Sequence, residues 1–100
     1  MIIYEITAVV RPDLIEAYEK YMSERHIPDL LETGYFHGAK FMRSGEGRYR
    51  ISYEAYDKKA LSEYLKAGAT WLRADFLANF GEGVEISREN WEVLRAWNKD

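Results

Sequence analysis

Two short runs of strict alternation constrain this chain more than any other feature. In residues 2–10, Ile2, Tyr4, Ile6, Ala8 and Val10 recur at every second position, with Ile3, Glu5, Thr7 and Val9 between them. In residues 48–56, Tyr49, Ile51, Tyr53 and Ala55 alternate with Arg48, Arg50, Ser52 and Glu54. A period of two belongs to a strand with one buried face. Such strands require a sheet that is covered on one side and mixed or polar on the other.

Between and after these strands the period changes. Arg11-Pro12-Asp13 punctuates, and Leu14, Ala17, Tyr18, Tyr21 and Met22 then follow at helical spacing, with Glu16, Glu19, Lys20 and Glu24 on the solvated side. Pro28 cannot donate a backbone N–H, so it either kinks this helix or begins a new turn. Gly34 follows Leu30 and Leu31, which predicts a helix end with positive φ and a clash for any β-carbon placed there. A second strand is expected from about Tyr35 to Arg43, and Ser44-Gly45-Glu46-Gly47 reads as a hairpin turn into the third. Asp57 is a good N-cap for a second helix. Its stripe runs Leu61, Tyr64, Leu65, then Ala69, Leu72 and Phe76, with a bend at Gly68 and Thr70, where Thr70 could cap the second half. Phe80-Gly81 closes it. Val84 to about Arg95 reads as a last strand whose alternation slips between Ile86 and Trp91, which predicts a bulge near Arg88-Glu89-Asn90.

The order β-α-β-β-α-β is the split βαβ pattern of α+β, ferredoxin-like folds. Right-handed crossovers place both helices on one face of a four-stranded antiparallel sheet of order 4-1-3-2. Residues 1–100 are expected to form a single domain. The formal net charge is −3 with no Lys/Arg-rich run, which argues against nucleic acid as a partner. There are no cysteines, so disulfides and thiol catalysis are excluded, and a cytoplasmic location is expected. The opening residues lack a basic n-region, and no apolar run is long enough for a membrane span. The chain carries eight Tyr, four Phe and three Trp. That is more ring area than a small core easily hides, so some of it should line a pocket or an interface.

The whole chain resembles a small uncharacterised family, a domain of unknown function, within the dimeric α+β barrel superfamily. The resemblance is carried by Ile3-Tyr4-Glu5-Ile6-Thr7, by His26-Ile27-Pro28-Asp29-Leu30-Leu31 with Thr33-Gly34 and Phe36, and by Leu72-Arg73-Ala74-Asp75 with Phe80-Gly81. It implies two protomers packed sheet to sheet. The superfamily includes antibiotic-biosynthesis-type monooxygenases, haem-degrading enzymes, muconolactone isomerases and stress-responsive barrels, so the fold does not fix the function. Members of the family often carry extra histidines in the second helix, where this chain has Gly68 and Phe76.

Candidate site residues fall into two groups. His26, beside Asp29, could act as a general base or metal ligand, but no nucleophile or third ligand is evident, so packing beneath the Pro28 kink is the favoured reading. Nothing in the sequence calls for a metal or another cofactor. The second group comprises Glu5, Arg48 and Arg50 on the open sheet face, with His37 and Trp71, as a pocket for an acidic small molecule. The competing reading is cross-strand and cross-subunit ion pairing inside a homodimer. Ile3, Val9, either Phe36 and Met42 or Tyr35 and Phe41, and Trp91 or Val93 would give that face a large apolar content, which predicts self-association. The expectation is therefore a homodimer that binds a small molecule or serves a structural role. The alternative is a cofactor-independent monooxygenase- or isomerase-type enzyme with a pocket between sheet and helices.

Overall fold

The structure is a computed structural model and describes residues 1–99. Strands β1 (Ile2–Val10), β2 (Phe36–Gly45), β3 (Arg48–Ala55) and β4 (Val84–Glu92) form one antiparallel sheet of order β2-β3-β1-β4. This is the expected 4-1-3-2 arrangement read from the other edge. Two helical runs cover one face. The first joins a 3-10 turn (Pro12–Leu14), α1 (Ile15–Tyr21), a π turn (Met22–His26) and α2 (Ile27–Glu32). The second joins α3 (Lys58–Glu63), a π turn (Tyr64–Gly68) and α4 (Ala69–Asn79).

Both π turns have a packing cause. The buried stripes are Tyr18, Met22, His26 and Leu30 in the first run and Tyr64, Gly68, Leu72 and Phe76 in the second, each at a spacing of four. A spacing of four drifts around a helix of about 3.6 residues per turn. One widened turn pulls each stripe back towards the sheet. In the first run the Ile27 N–H reaches Met22 O, immediately before Pro28, which can donate nothing. Pro28 thus neither ends nor sharply breaks the helix. In the second run the irregularity falls at Gly68 as expected, but Thr70 does not act as a cap. A β-carbon on Gly68 would lie 3.1 Å from the Tyr64 ring, so glycine leaves room for that ring.

The turns agree with the sequence in kind. Asp57 caps α3 by accepting from Ala60 N at 2.7 Å. Gly34 has φ +85°, but a β-carbon there would meet nothing within 4 Å. The expected clash is therefore absent, and the cost of a side chain at Gly34 is the backbone conformation alone. The steric constraint lies at Gly47 (φ +74°), where a β-carbon would stand 2.6 Å from Val10 O.

Two strands depart from expectation. β4 pairs with β1 in unbroken register from Ile2–Glu92 to Val10–Val84, so there is no bulge at Arg88-Glu89-Asn90, and the strand ends at Glu92. The irregularities are in β2, between Phe36 and Gly38 and between Arg43 and Gly45. The first resets the alternation. Phe36, Ala39 and Phe41 face the helices, while Lys40 and Met42 line the open side with Ile3, Glu5 and Trp91. Neither of the two apolar sets expected for β2 is present as a unit.

The core is aromatic. Tyr4, Phe36, Tyr53 and Tyr64 form one group, with Phe36 and Tyr64 centroids 5.0 Å apart edge to face. Tyr18, Tyr21, Phe76 and Phe80 form another, continuous with Tyr49 and Phe41. Such contacts add about 0.5–1.5 kcal/mol per pair beyond area burial. Among the described residues no helix is long and apolar enough to cross a membrane.

Candidate functional site

The two groups of candidate residues lie on opposite faces of the sheet. Between the helical layer and β1–β4 is a cavity of about 320 Å3, at the small end of the size range of ligand sites. Its buried wall is formed by Tyr4 and Ile6 of β1, Tyr18 of α1, Met22 and His26 of the first π turn, Tyr64 of the second, and Phe76 and Phe80. Val84, Ile86 and Arg88 of β4 complete it, with Arg73, Leu77 and Gly81 at its margin. Each π turn therefore supplies cavity residues, in keeping with the frequent association of such turns with functional sites.

His26 is 7% exposed and stands between the rings of Tyr21 and Phe76, with centroids 5.8 and 5.7 Å away. Its Nδ1 has no hydrogen-bond partner among the described residues, and neither does the hydroxyl of Tyr18, which is fully buried on the same cavity wall. Burial holds the His26 pKa below its usual value, against the pull of the Asp75 and Asp29 carboxylates. The imidazole is therefore neutral at pH 7. Asp29 is half-buried and lies outside the cavity lining, so the His26–Asp29 pair of the sequence reading does not form a dyad there. Asp75 exerts the larger pull, but it is engaged by Arg25 at 2.9 Å and by the Tyr21 hydroxyl at 2.6 Å.

The open face holds most of the second group. Arg50 Nε lies 3.5 Å from Glu5 Oε1, and Ser52 Oγ donates to Glu5 Oε2 at 3.4 Å. His37 Nδ1 is 3.4 Å from Glu54 Oε2, and its ring rests against Tyr56. Arg48 lines a neighbouring hollow with Arg50, Arg43, Met42 and Val9. Trp71 belongs to neither set: it sits on α4, 51% exposed, away from the cavity lining. His26 and His37 are separated by the sheet, and among the described residues no three His, Cys, Asp or Glu side chains converge as a metal site.

Sequence reasoning did not single out Tyr4, Tyr18, Tyr64, Arg73 or Arg88 as site residues. One signal for the last was present. Arg88 and Asn90 stand opposite Ile6 and Tyr4 on the inner face of β4, where alternation from Val84 and Ile86 calls for apolar side chains. The broken pattern marks the place where the cavity opens, not a bulge.

The element order and sheet topology define the class: a ferredoxin-like α+β protein. The sequence matches the family described as a domain of unknown function (DUF4286) over residues 1–94, and the chain belongs to that family. No curated protein matches it by sequence. Among solved structures it is similar to a single-substitution mutant of SnoaB, a cofactor-independent oxygenase from Streptomyces nogalater, with a TM-score of 0.75 at 10% identity over 98% of each chain. Rv0793 from Mycobacterium tuberculosis gives a TM-score of 0.73 at 15% identity, covering 98% of this chain and 100% of that one. A candidate antibiotic biosynthesis monooxygenase from Deinococcus radiodurans gives 0.69 at 15% identity, covering 100% and 99%. At these identities the likeness is one of fold.

Proposed function

We propose that this protein binds a small aromatic molecule in the cavity between its helices and its sheet, and works as a homodimer through the open sheet face. The observation that carries the first part is the cavity of about 320 Å3 itself, walled by the rings of Tyr4, Tyr64, Phe76 and Phe80 with the buried His26 on its lining. Aromatic walls of this kind suit a planar partner, which stacks or meets them edge to face. Native mass spectrometry of the protein as purified, followed by titration with small phenols under His26 imidazole NMR, tests this reading. A stoichiometric adduct or a saturable His26 shift is expected; an unmoved His26 resonance across a panel of one- and two-ring phenols would count against it.

The homodimer rests on the open face, where Val9, Met42 and Trp91 are each at least 40% exposed around paired charges. Large exposed apolar side chains around satisfied ion pairs suit an interface.

A second reading is a cofactor-independent oxygenase or isomerase, and His26 on the cavity lining favours it. A neutral imidazole can accept a proton at its unprotonated nitrogen from an acidic O–H or C–H of the bound molecule. In an isomerisation the same proton returns to another carbon. The analogy with SnoaB adds a fold-level argument only. Deuterium exchange into a bound substrate, lost in His26→Gln, distinguishes catalysis from binding.

A further inference from the structure

The margin of the cavity carries two arginines with no carboxylate within 4 Å among the described residues. Arg25, Arg43 and Arg50 each lie within 4 Å of a carboxylate, on Asp75, Glu19 and Glu5. Arg73 and Arg88 have no such partner among the described residues; Arg73 Nη2 instead donates to the Tyr4 hydroxyl at 3.1 Å. Both line the same cavity as Tyr64 and His26. What sets Arg73 and Arg88 apart is that both line the same opening.

Their positions follow from the fold. Arg73 is one residue beyond the buried Leu72 of α4, which turns it to the edge of the helical layer. Arg88 pairs with Ile6 across β1–β4 and so projects from the helix-facing side of β4. One arginine therefore stands on each side of the opening, both exposed, while His26 and Tyr18 lie buried deeper in. The cavity is thus cationic at its mouth and largely aromatic within.

From this arrangement we infer that the ligand is an aromatic carboxylate, with its acid group held by Arg73 and Arg88 at the mouth and its ring among the aromatic side chains of the wall. The inference rests on the cavity reading above and adds the ligand's charge and polarity. A guanidinium matches a carboxylate in planar, bidentate geometry, and the pair is stronger than a neutral hydrogen bond.

The test compares 6-hydroxy-2-naphthoate with its methyl ester, which keeps the rings and the hydroxyl but removes the charge. Affinities are read by fluorescence titration and by the His26 imidazole resonance. The acid is expected to bind roughly ten- to a hundredfold more tightly than the ester, as charged hydrogen bonds allow. Arg88→Gln and Arg73→Gln should each weaken the acid by about tenfold or more while leaving the ester's affinity unchanged. The ester also reports whether Arg73→Gln has disturbed the fold through Tyr4. Arg88→Lys should retain part of the preference, and Arg95→Gln, outside the cavity, should leave both affinities as they are. Equal binding of acid and ester would overturn the anionic inference while the cavity reading stood. Failure of both to bind would remove the cavity reading and this inference with it.

Discussion

The two faces of the sheet handle polar groups in opposite ways. On the open face, polar side chains find partners: Glu5 with Arg50 and Ser52, and His37 beside Glu54. On the helix-covered face, Tyr18, His26 and Tyr53 bury polar atoms that find no partner among the described residues, and Arg88 stands near the cavity without a carboxylate. Satisfied charges at a partly apolar surface suit a contact whose partner needs only shape. An aromatic cavity with arginines at its mouth suits a ligand with a flat apolar body. On the proposal above, the contrast separates interface from site within one small sheet.

The contrast can be broken first at its most buried point. Leu72 is 1% exposed beneath the helical layer, and Leu72→Ala should lower unfolding free energy by about 2–5 kcal/mol in urea denaturation. Val9→Ala on the open face should change monomer stability by well under about 1.5 kcal/mol. Comparable losses at the two positions would mean that the open face belongs to the protomer's own core.

Association should respond in the reverse order. Trp91 is 49% exposed on the open side, and Trp91→Ala should weaken the dimer by about 2 kcal/mol or more, the scale of an interface hot spot. Sedimentation equilibrium at low micromolar concentration checks it. A wild-type monomer in that range would remove the dimer from the comparison.

The covered face should also be the one that senses pH. His26 has its pKa lowered by burial, so the unfolded chain binds a proton at a higher pH than the folded one. Stability from the neutral imidazole is fully present above about 6.5, the ordinary histidine value, and is lost as pH falls from there towards the folded pKa. The slope should reach at most about 1.4 kcal/mol per pH unit. His26→Leu should flatten it; an unchanged slope in His26→Leu would reassign the effect.

The smallest effect should come from the ion pair on the open face. Arg50 is 58% exposed against Glu5 at 3.5 Å, and exposed pairs couple by about 0.2–1 kcal/mol. A Glu5→Gln, Arg50→Gln double-mutant cycle on monomer stability should fall within that range. A larger coupling that appears only at dimer-forming concentrations would sharpen the assignment of this face to an interface.

Much of this architecture was legible in the residues alone. The alternation in β1 and β3 fixed which side chains face the helices, because a period of two admits no other arrangement. Gly34 and Asp57 announced their turn and cap through local backbone chemistry, which needs no distant partner. The topology followed from element order and crossover handedness. His26 was also visible, as a histidine two residues before Pro28.

The tertiary structure decided what local periodicity cannot carry. A stripe at a spacing of four is ambiguous until something packs against it, and here the sheet selects the π turns that bring His26 and Tyr64 inward. The break in β4 reads equally as a bulge or as an unbroken strand with polar residues on its inner face. Only pairing with β1 shows that Arg88 faces the helical side. The cavity itself is a shared property of β1, β4 and both helical runs. It arises from side chains far apart in sequence, and only the packed chain brings them together.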